Sequence, residues 1–248
     1  MAKTQPICEV RVTLKGSKPP IWRKLAVPAD IVLADLHEVI QIAMGWTNSH
    51  MHQFILRGKK PKPARRKLPK ATGTVEKTVI DLPGGRKGYL LTTKSVEGGD
   101  ACEPVKPDMS WFDTGDRYYV TKVTPWGDPA DMKGEDEEAF TLGEVCPKVK
   151  SKLIYEYDFG DGWEHAIEVQ KIIEPEPGVQ YPVCLGGKKA CPPEDCGGIW
   201  GYYELLETIA DPDAEDHEDM VDWLGGDFDP DAFDLEEVNA ILAEWRKG

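Results

Sequence analysis

The stretch Leu153-Ile154-Tyr155-Glu156-Tyr157-Asp158-Phe159-Gly160-Asp161-Gly162-Trp163-Glu164-His165-Ala166-Ile167-Glu168-Val169 decides the fold. Leu153, Tyr155, Tyr157 and Phe159 alternate with Ile154, Glu156 and Asp158, and Trp163, His165, Ile167 and Val169 alternate with Glu164, Ala166 and Glu168. Successive side chains of a strand point to opposite faces, so this pattern specifies two strands, each with one buried face, joined at the glycines. A two-residue loop at Asp161-Gly162 would set Asp158 against His165 and mix the faces. A three-residue loop, Gly160-Asp161-Gly162, instead pairs Phe159 with Trp163, Tyr157 with His165, Tyr155 with Ile167 and Leu153 with Val169, and is the register expected, with Gly162 at positive φ. It places His165 at the edge of an aromatic face. A histidine there is either a half-buried core residue with one hydrogen bond or a group available for chemistry.

Towards the N-terminus, Ile7 to Leu14 alternates as a strand, Gly16-Ser17-Lys18-Pro19-Pro20 has turn chemistry, and Ile21 to Val27 returns as a second strand. Leu33 to Met44 carries a helical apolar stripe and ends at Gly45, a C-terminal cap. His50 to Leu56 alternates again. Strand, strand, helix, strand is the order of a β-grasp-like unit. Two imidazoles spaced as His50 and His52 would project to the same side of a strand and could ligate a metal, although no third ligand is identifiable nearby. The alternative is a strand running from a polar rim into the core.

From Lys59 to Lys106 the chain is rich in Pro, Gly, Lys and Thr and reads as an excursion from the core, with a short hairpin expected over Val79 to Thr93 and a strand over Arg117 to Val123. Beyond the central hairpin, the Gly- and Pro-rich stretch from Tyr181 to Tyr202 is expected to lack regular structure and to be functional or clamped down. Helices follow over Trp200 to Ala210, Ala214 to Leu224 and Leu235 to Arg246, the last with Asp234 and Glu237 in a capping arrangement. The fold class expected is α+β: a β-grasp-like N-terminal unit, a central hairpin completing its sheet, and C-terminal helices packed on it.

The 248 residues carry a net charge of -14. Phosphate binding needs neutralisation by Lys and Arg, so a protein that coats nucleic acid over its whole surface is excluded. The segment Arg57 to Lys70 holds eight basic residues and no acid, and could grip phosphates locally; it lacks interleaved aromatics for base stacking, which favours a solvated loop. From Ala190 to Trp245 there are eighteen Asp and Glu and no Lys or Arg. No run approaches the roughly 18 apolar residues of a membrane span, and no secretory start is visible, so a cytoplasmic protein with reduced thiols is expected.

Several blocks together resemble the plasmid pRiA4b ORF-three family. They are Trp22 within Lys18-Pro19-Pro20-Ile21-Trp22-Arg23, Leu36-His37, Gln41 to Trp46 followed by His50-Met51-His52, Tyr157 to His165, Pro192 to Gly198, and Phe228-Asp229-Pro230. The likeness runs in order from near residue 7 to near residue 242. It implies a passenger protein of plasmids and mobile elements and carries no assigned activity. It also implies a core shorter than this chain between the His50 and Tyr155 strands, so that residues 59 to about 134 are expected as an enlarged insertion into one domain spanning 1–248. Cys184, Cys191 and Cys196 offer three thiolates to a structural zinc, with His165 or His217 as a fourth ligand; the family likeness does not make such a zinc indispensable.

Two classes of function fit these residues. In a binding or accessory module, Glu194 and Asp195 cap a helix or accept backbone hydrogen bonds, and the acidic C-terminal helices meet a basic protein partner. In a divalent-metal-dependent hydrolase, with phosphodiesters as one substrate class, the candidates Asp158, Asp161, Glu194, Asp195 and His165, with His50 or His52, would line a cleft and hold a metal that activates water. No spacing matches an established catalytic motif, which favours the module.

Overall fold

A computed structural model of the chain describes residues 5–58, 75–82, 86–93, 116–120 and 134–247, with 75–82 and 86–93 as backbone. Two compact units are separated along the chain, Met1–Gly58 with Gly115–Gly248, and Lys59–Thr114. In the first, β1 (Ile7–Leu14) and β2 (Trp22–Pro28) form the N-terminal hairpin, helix α1 (Leu33–Met44) follows, and β3 is His52–Leu56. In the second, β4 (Val75–Leu82) and β5 (Arg86–Thr93) pair antiparallel, Val75 opposite Thr93 and Leu82 opposite Arg86. The basic run beyond Arg57 lies outside the described residues. Arg57 itself pairs with Asp116 at 2.7 Å.

The first unit continues with β6 (Arg117–Val120), β7 (Glu135–Asp136), a 3-10 turn (Glu137–Ala139), α2 (Leu142–Val145), β8 (Lys152–Tyr157), β9 (Trp163–Ile173), β10 (Val183–Lys188), α3 (Gly198–Ala210), α4 (His217–Leu224) and α5 (Leu235–Trp245). Eight strands form one mixed sheet in the order β10-β2-β1-β9-β8-β3-β6-β7, antiparallel except at β6-β7. The α+β class is as expected. The central hairpin enters the middle of the sheet, β9 against β1 and β8 against β3, so β3 pairs with neither strand of the N-terminal hairpin.

The alternation along β8 and β9 buries the expected faces, but the register differs from the expectation. Tyr157 lies opposite Trp163, Tyr155 opposite His165 and Leu153 opposite Ile167. The connection is five residues, Asp158 to Gly162, closed by a 2.6 Å bond from the Gly162 amide to the Asp158 carbonyl. Asp158 at φ 55° and Gly162 at φ 69° together reverse the chain. The shift is by two residues, so each side chain keeps its face while Phe159 leaves the strand and becomes exposed.

The Gly- and Pro-rich stretch is also more ordered than expected, because β10 pairs with β2 through a bulge at Leu185. This edge is covered by α5. Asn239 donates to the Cys184 carbonyl at 2.9 Å and accepts from its amide at 2.8 Å, matching the strand's free edge with a side-chain amide. Leu242 of the same helix is fully buried in the core with α1 and the sheet. Among the described residues no helix is long and apolar enough to cross a membrane.

One polar network runs through this core. Tyr155 donates to His37 Nδ1 at 2.7 Å and accepts from Gln41 at 2.8 Å; His37 Nε2 donates to Asn48 Oδ1 at 2.7 Å, and the Asn48 amide donates to Gln41 Oε1 at 3.1 Å. Each polar atom has a partner suited to a neutral His37. The ring of His52 stacks parallel on His37 at 3.4 Å and its Nε2 meets Glu137 at 2.8 Å. Burial, and secondarily the charge of His52, holds the His37 pKa down to about 3, and burial holds that of His165 down to about 4. Both values lie below the ordinary histidine pKa of about 6.5, so the unfolded chain takes up protons first as pH falls. The stability these neutral imidazoles contribute is therefore complete above pH ~6.5 and is lost progressively towards pH ~4. Urea denaturation should give a lower midpoint at pH 5 than at pH 7, and an unchanged or higher midpoint at pH 5 would contradict the assignment.

Candidate functional site

Three segments distant in sequence meet at one end of the hairpin: the loop from Gly45 to Met51 that leaves α1, the turn Asp158 to Gly162, and the loop Pro192 to Gly197 that leads into α3. Gly45 closes α1 at φ 95°, accepting the expected left-handed cap and turning the chain towards the hairpin. Trp46 then donates from Nε1 to the Pro192 carbonyl at 3.0 Å, and its ring packs on Tyr157, Trp163 and His165.

Glu194 is the hub of the contacts. Its Oε1 accepts the hydroxyl of Tyr157; its Oε2 accepts the Thr47 hydroxyl and, at 3.3 Å, the Thr47 amide. The same Tyr157 oxygen accepts the Ser49 amide at 3.0 Å. Burial and the Glu194 carboxylate push the Tyr157 hydroxyl well above its ordinary pKa, which keeps it a donor. The Asp158 amide donates to the Met51 carbonyl at 2.9 Å, and Asp161 accepts the Gly197 amide at 3.2 Å. Glu194 accepts one backbone hydrogen bond, from the Thr47 amide; the carboxylate at the start of α3 is that of Asp161, not Glu194 or Asp195.

These contacts bring His50, Asp158 and Asp195 together. His50 Nε2 lies 3.3 Å from Asp195 Oδ1 and 3.8 Å from Asp158 Oδ2, and one donor atom from each residue falls within 4.8 Å of the others. Asp158 is buried, the His50 side chain is 27% exposed and that of Asp195 is 71% exposed, so the group opens to solvent on one side. Asp158 and Asp195 both hold left-handed backbone, at φ 55° and 59°, a conformation aspartate tolerates better than most residues.

The other candidates lie elsewhere or are committed to structure. His52 begins β3 and faces Glu137 and His37, whereas His50 precedes the strand and turns towards the aspartates; the two imidazoles do not share a ligand set. His165 lies completely buried beneath Trp46, with Nδ1 3.1 Å from the Trp163 carbonyl. Cys184, Cys191 and Cys196 are free thiols, and burial raises all three, Cys196 to about 12. Among the described residues they form no three-donor group with one another or with a histidine. His217 Nδ1 sits 3.1 Å from the Thr208 carbonyl near the end of α3.

Residues that sequence reasoning left out include Thr47, Tyr157, Gln41 and His37. Two of them carried a signal: His37 and Gln41 are polar and one helical turn apart, on a stripe otherwise apolar. Gly198 lets α3 approach the hairpin turn closely. A Cβ there would lie 2.4 Å from the Asp161 carbonyl oxygen, and the residue adopts φ 69°. Gly198→Ala should cost about 2 kcal/mol or more in urea unfolding, because strain and overlap add. Gly225→Ala, at φ 74° with nothing within 4 Å of its Cβ, should cost about 1 kcal/mol from backbone strain alone. Equal costs at the two glycines would contradict the close approach of α3 to the turn.

The junction is built from the blocks that gave the sequence its likeness. The family model described as "Plasmid pRiA4b ORF-3-like protein" matches residues 6–237. An uncharacterised protein, y4hQ, of Sinorhizobium fredii (strain NBRC 101917 / NGR234) is 30% identical over 246 residues, covering 97% of this chain and 95% of its own. The crystal structure of MM3350, a protein of unknown function from Methanosarcina mazei Go1, is similar with a TM-score of 0.63 at 27% identity, over 95% of this chain and 97% of that one. The chain belongs to the plasmid pRiA4b ORF-3-like family.

Proposed function

We propose that the protein is a non-enzymatic binding or accessory module whose contact surface is the three-segment junction. The observation that carries this reading is the use made of the candidate acid-base groups. Glu194 is held by Tyr157 and Thr47, Asp161 holds the Gly197 amide, and His165 has no exposed surface. A general base must reach the proton it removes; Glu194 and Asp161 are struts between loops, and His165 is enclosed within the sheet.

What the same segments expose suits docking. Met51 is 47% exposed, Phe159 40% and Trp200, in the first turn of α3, 84%. Met and aromatic residues are over-represented in protein interfaces, where a few rigid side chains dominate the affinity. The net charge of -14, with eighteen acids and no Lys or Arg from Ala190 to Trp245, favours a basic protein as the partner. An accessory role also agrees with the plasmid origin in the family's name.

A second reading, a divalent-metal-dependent hydrolase, draws on the His50, Asp158 and Asp195 group, whose donor types suit a metal that activates water. Hydrolysis of bis(4-nitrophenyl) phosphate with manganese or zinc separates the two readings. The module predicts release at the rate of metal and buffer alone. Turnover by the wild type that disappears in Asp158→Asn would overturn the module in favour of the hydrolase. In parallel, a partner captured from cells by the wild type should be lost by the Phe159→Ala/Trp200→Ala double variant.

A further inference from the structure

The His50, Asp158 and Asp195 group has a geometry that docking does not require. His50 Nε2 is shielded from solvent and forms no hydrogen bond, although two carboxylates stand within 4 Å of it. Asp158 accepts the Gly160 amide through Oδ1 at 2.9 Å and turns Oδ2 towards the imidazole at 3.8 Å, beyond hydrogen-bond reach. At 3.3 and 3.8 Å the imidazole nitrogen stands between the two carboxylates without hydrogen-bond geometry to either.

Metal-ligand distances of about 2.0–2.2 Å for imidazole nitrogen and carboxylate oxygen place neighbouring donors about 3.0–3.5 Å apart around an octahedral or tetrahedral ion. The separation of 3.3 Å to Asp195 lies within that span and that of 3.8 Å to Asp158 just outside it. The three donor atoms all lie within 4.8 Å of one another, so side-chain rotations are needed to close the group on an ion. The loops that carry the donors need no such ion to be positioned, because Trp46, Tyr157, Glu194 and Asp161 already bind them to one another. The site is therefore preformed, with three protein donors and one open side next to the exposed Asp195.

We infer that His50 Nε2, Asp158 Oδ2 and Asp195 Oδ1 bind one divalent first-row metal ion, of the zinc or manganese class, at the junction. One nitrogen and two oxygen donors, with no thiolate in the group, match the borderline-to-hard ions of that class. Three protein ligands leave at least one position for water or for an oxygen atom of a partner. This goes beyond the docking reading: the ion can be absent and docking still occur, or the ion present and no partner bind.

The test is calorimetric titration of chelator-treated protein with zinc and, separately, with manganese, each variant first checked for native circular dichroism. The expected result is one ion per chain for at least one metal, with affinity reduced about tenfold or more in His50→Gln and in Asp158→Asn. Cys191→Ser should bind as the wild type does. Should Asp158→Asn fail to fold, Asp195→Asn, whose side chain is 71% exposed, serves in its place. No saturable binding of either metal, binding unchanged in the ligand variants, or binding lost in Cys191→Ser alone would each overturn the assignment.

Discussion

The Tyr157 hydroxyl, which donates to Glu194 and accepts the Ser49 amide, is the contact on which the functional end of the molecule depends. It joins three loops that share no sequence neighbourhood. Tyr157 is the last residue of β8, rigid because both neighbouring strands pair with it, opposite His52 on one side and Trp163 on the other. Its ring is fully buried against Trp46, so the hydroxyl emerges at a fixed place. A charge-assisted hydrogen bond from so restrained a donor gives the Pro192 to Gly197 loop a single docking position. The loop has little apolar surface of its own to hold it.

Beneath that contact the core separates two kinds of polar environment. His37, Gln41, Asn48 and Tyr155 form a closed network in which donors and acceptors match, with His52 and Glu137 stacked alongside. Such a network specifies how α1 lies over the sheet and leaves nothing free for a ligand. His50 and the two aspartates are the reverse: a buried, unpartnered nitrogen facing two carboxylates at the edge of solvent. Two histidines two residues apart in sequence thus serve opposite purposes, since β3 begins only at His52 and His50 is free to turn back over the hairpin.

Much of this fold is legible in the chain. Period-two alternation identifies β8 and β9 and their buried faces, the apolar stripe identifies α1, Gly45 marks its end, and Asp234 caps α5 by accepting the Glu236 and Glu237 amides at 2.9 Å. The hairpin register was not legible, because a turn closed by an aspartate at positive φ has no signature distinct from one closed by glycine alone. Nor was β10, since its outer edge is closed by Asn239 from a helix 55 positions away. For the site, residue types pointed to His50, His52, Asp158, Asp161, His165, Glu194 and Asp195. Their roles depended on long-range contacts: which carboxylate meets Tyr157, which accepts the Gly197 amide and which faces an imidazole is decided by the packing of three loops.

The most direct measurement is a double-mutant cycle between Tyr157→Phe and Glu194→Gln, read by urea unfolding. A bond that anchors the junction predicts a coupling of about 1.5–3 kcal/mol, with the double variant losing little more than either single one. Strictly additive losses would mean that the two side chains act independently, and the junction would then lack the contact that orders it.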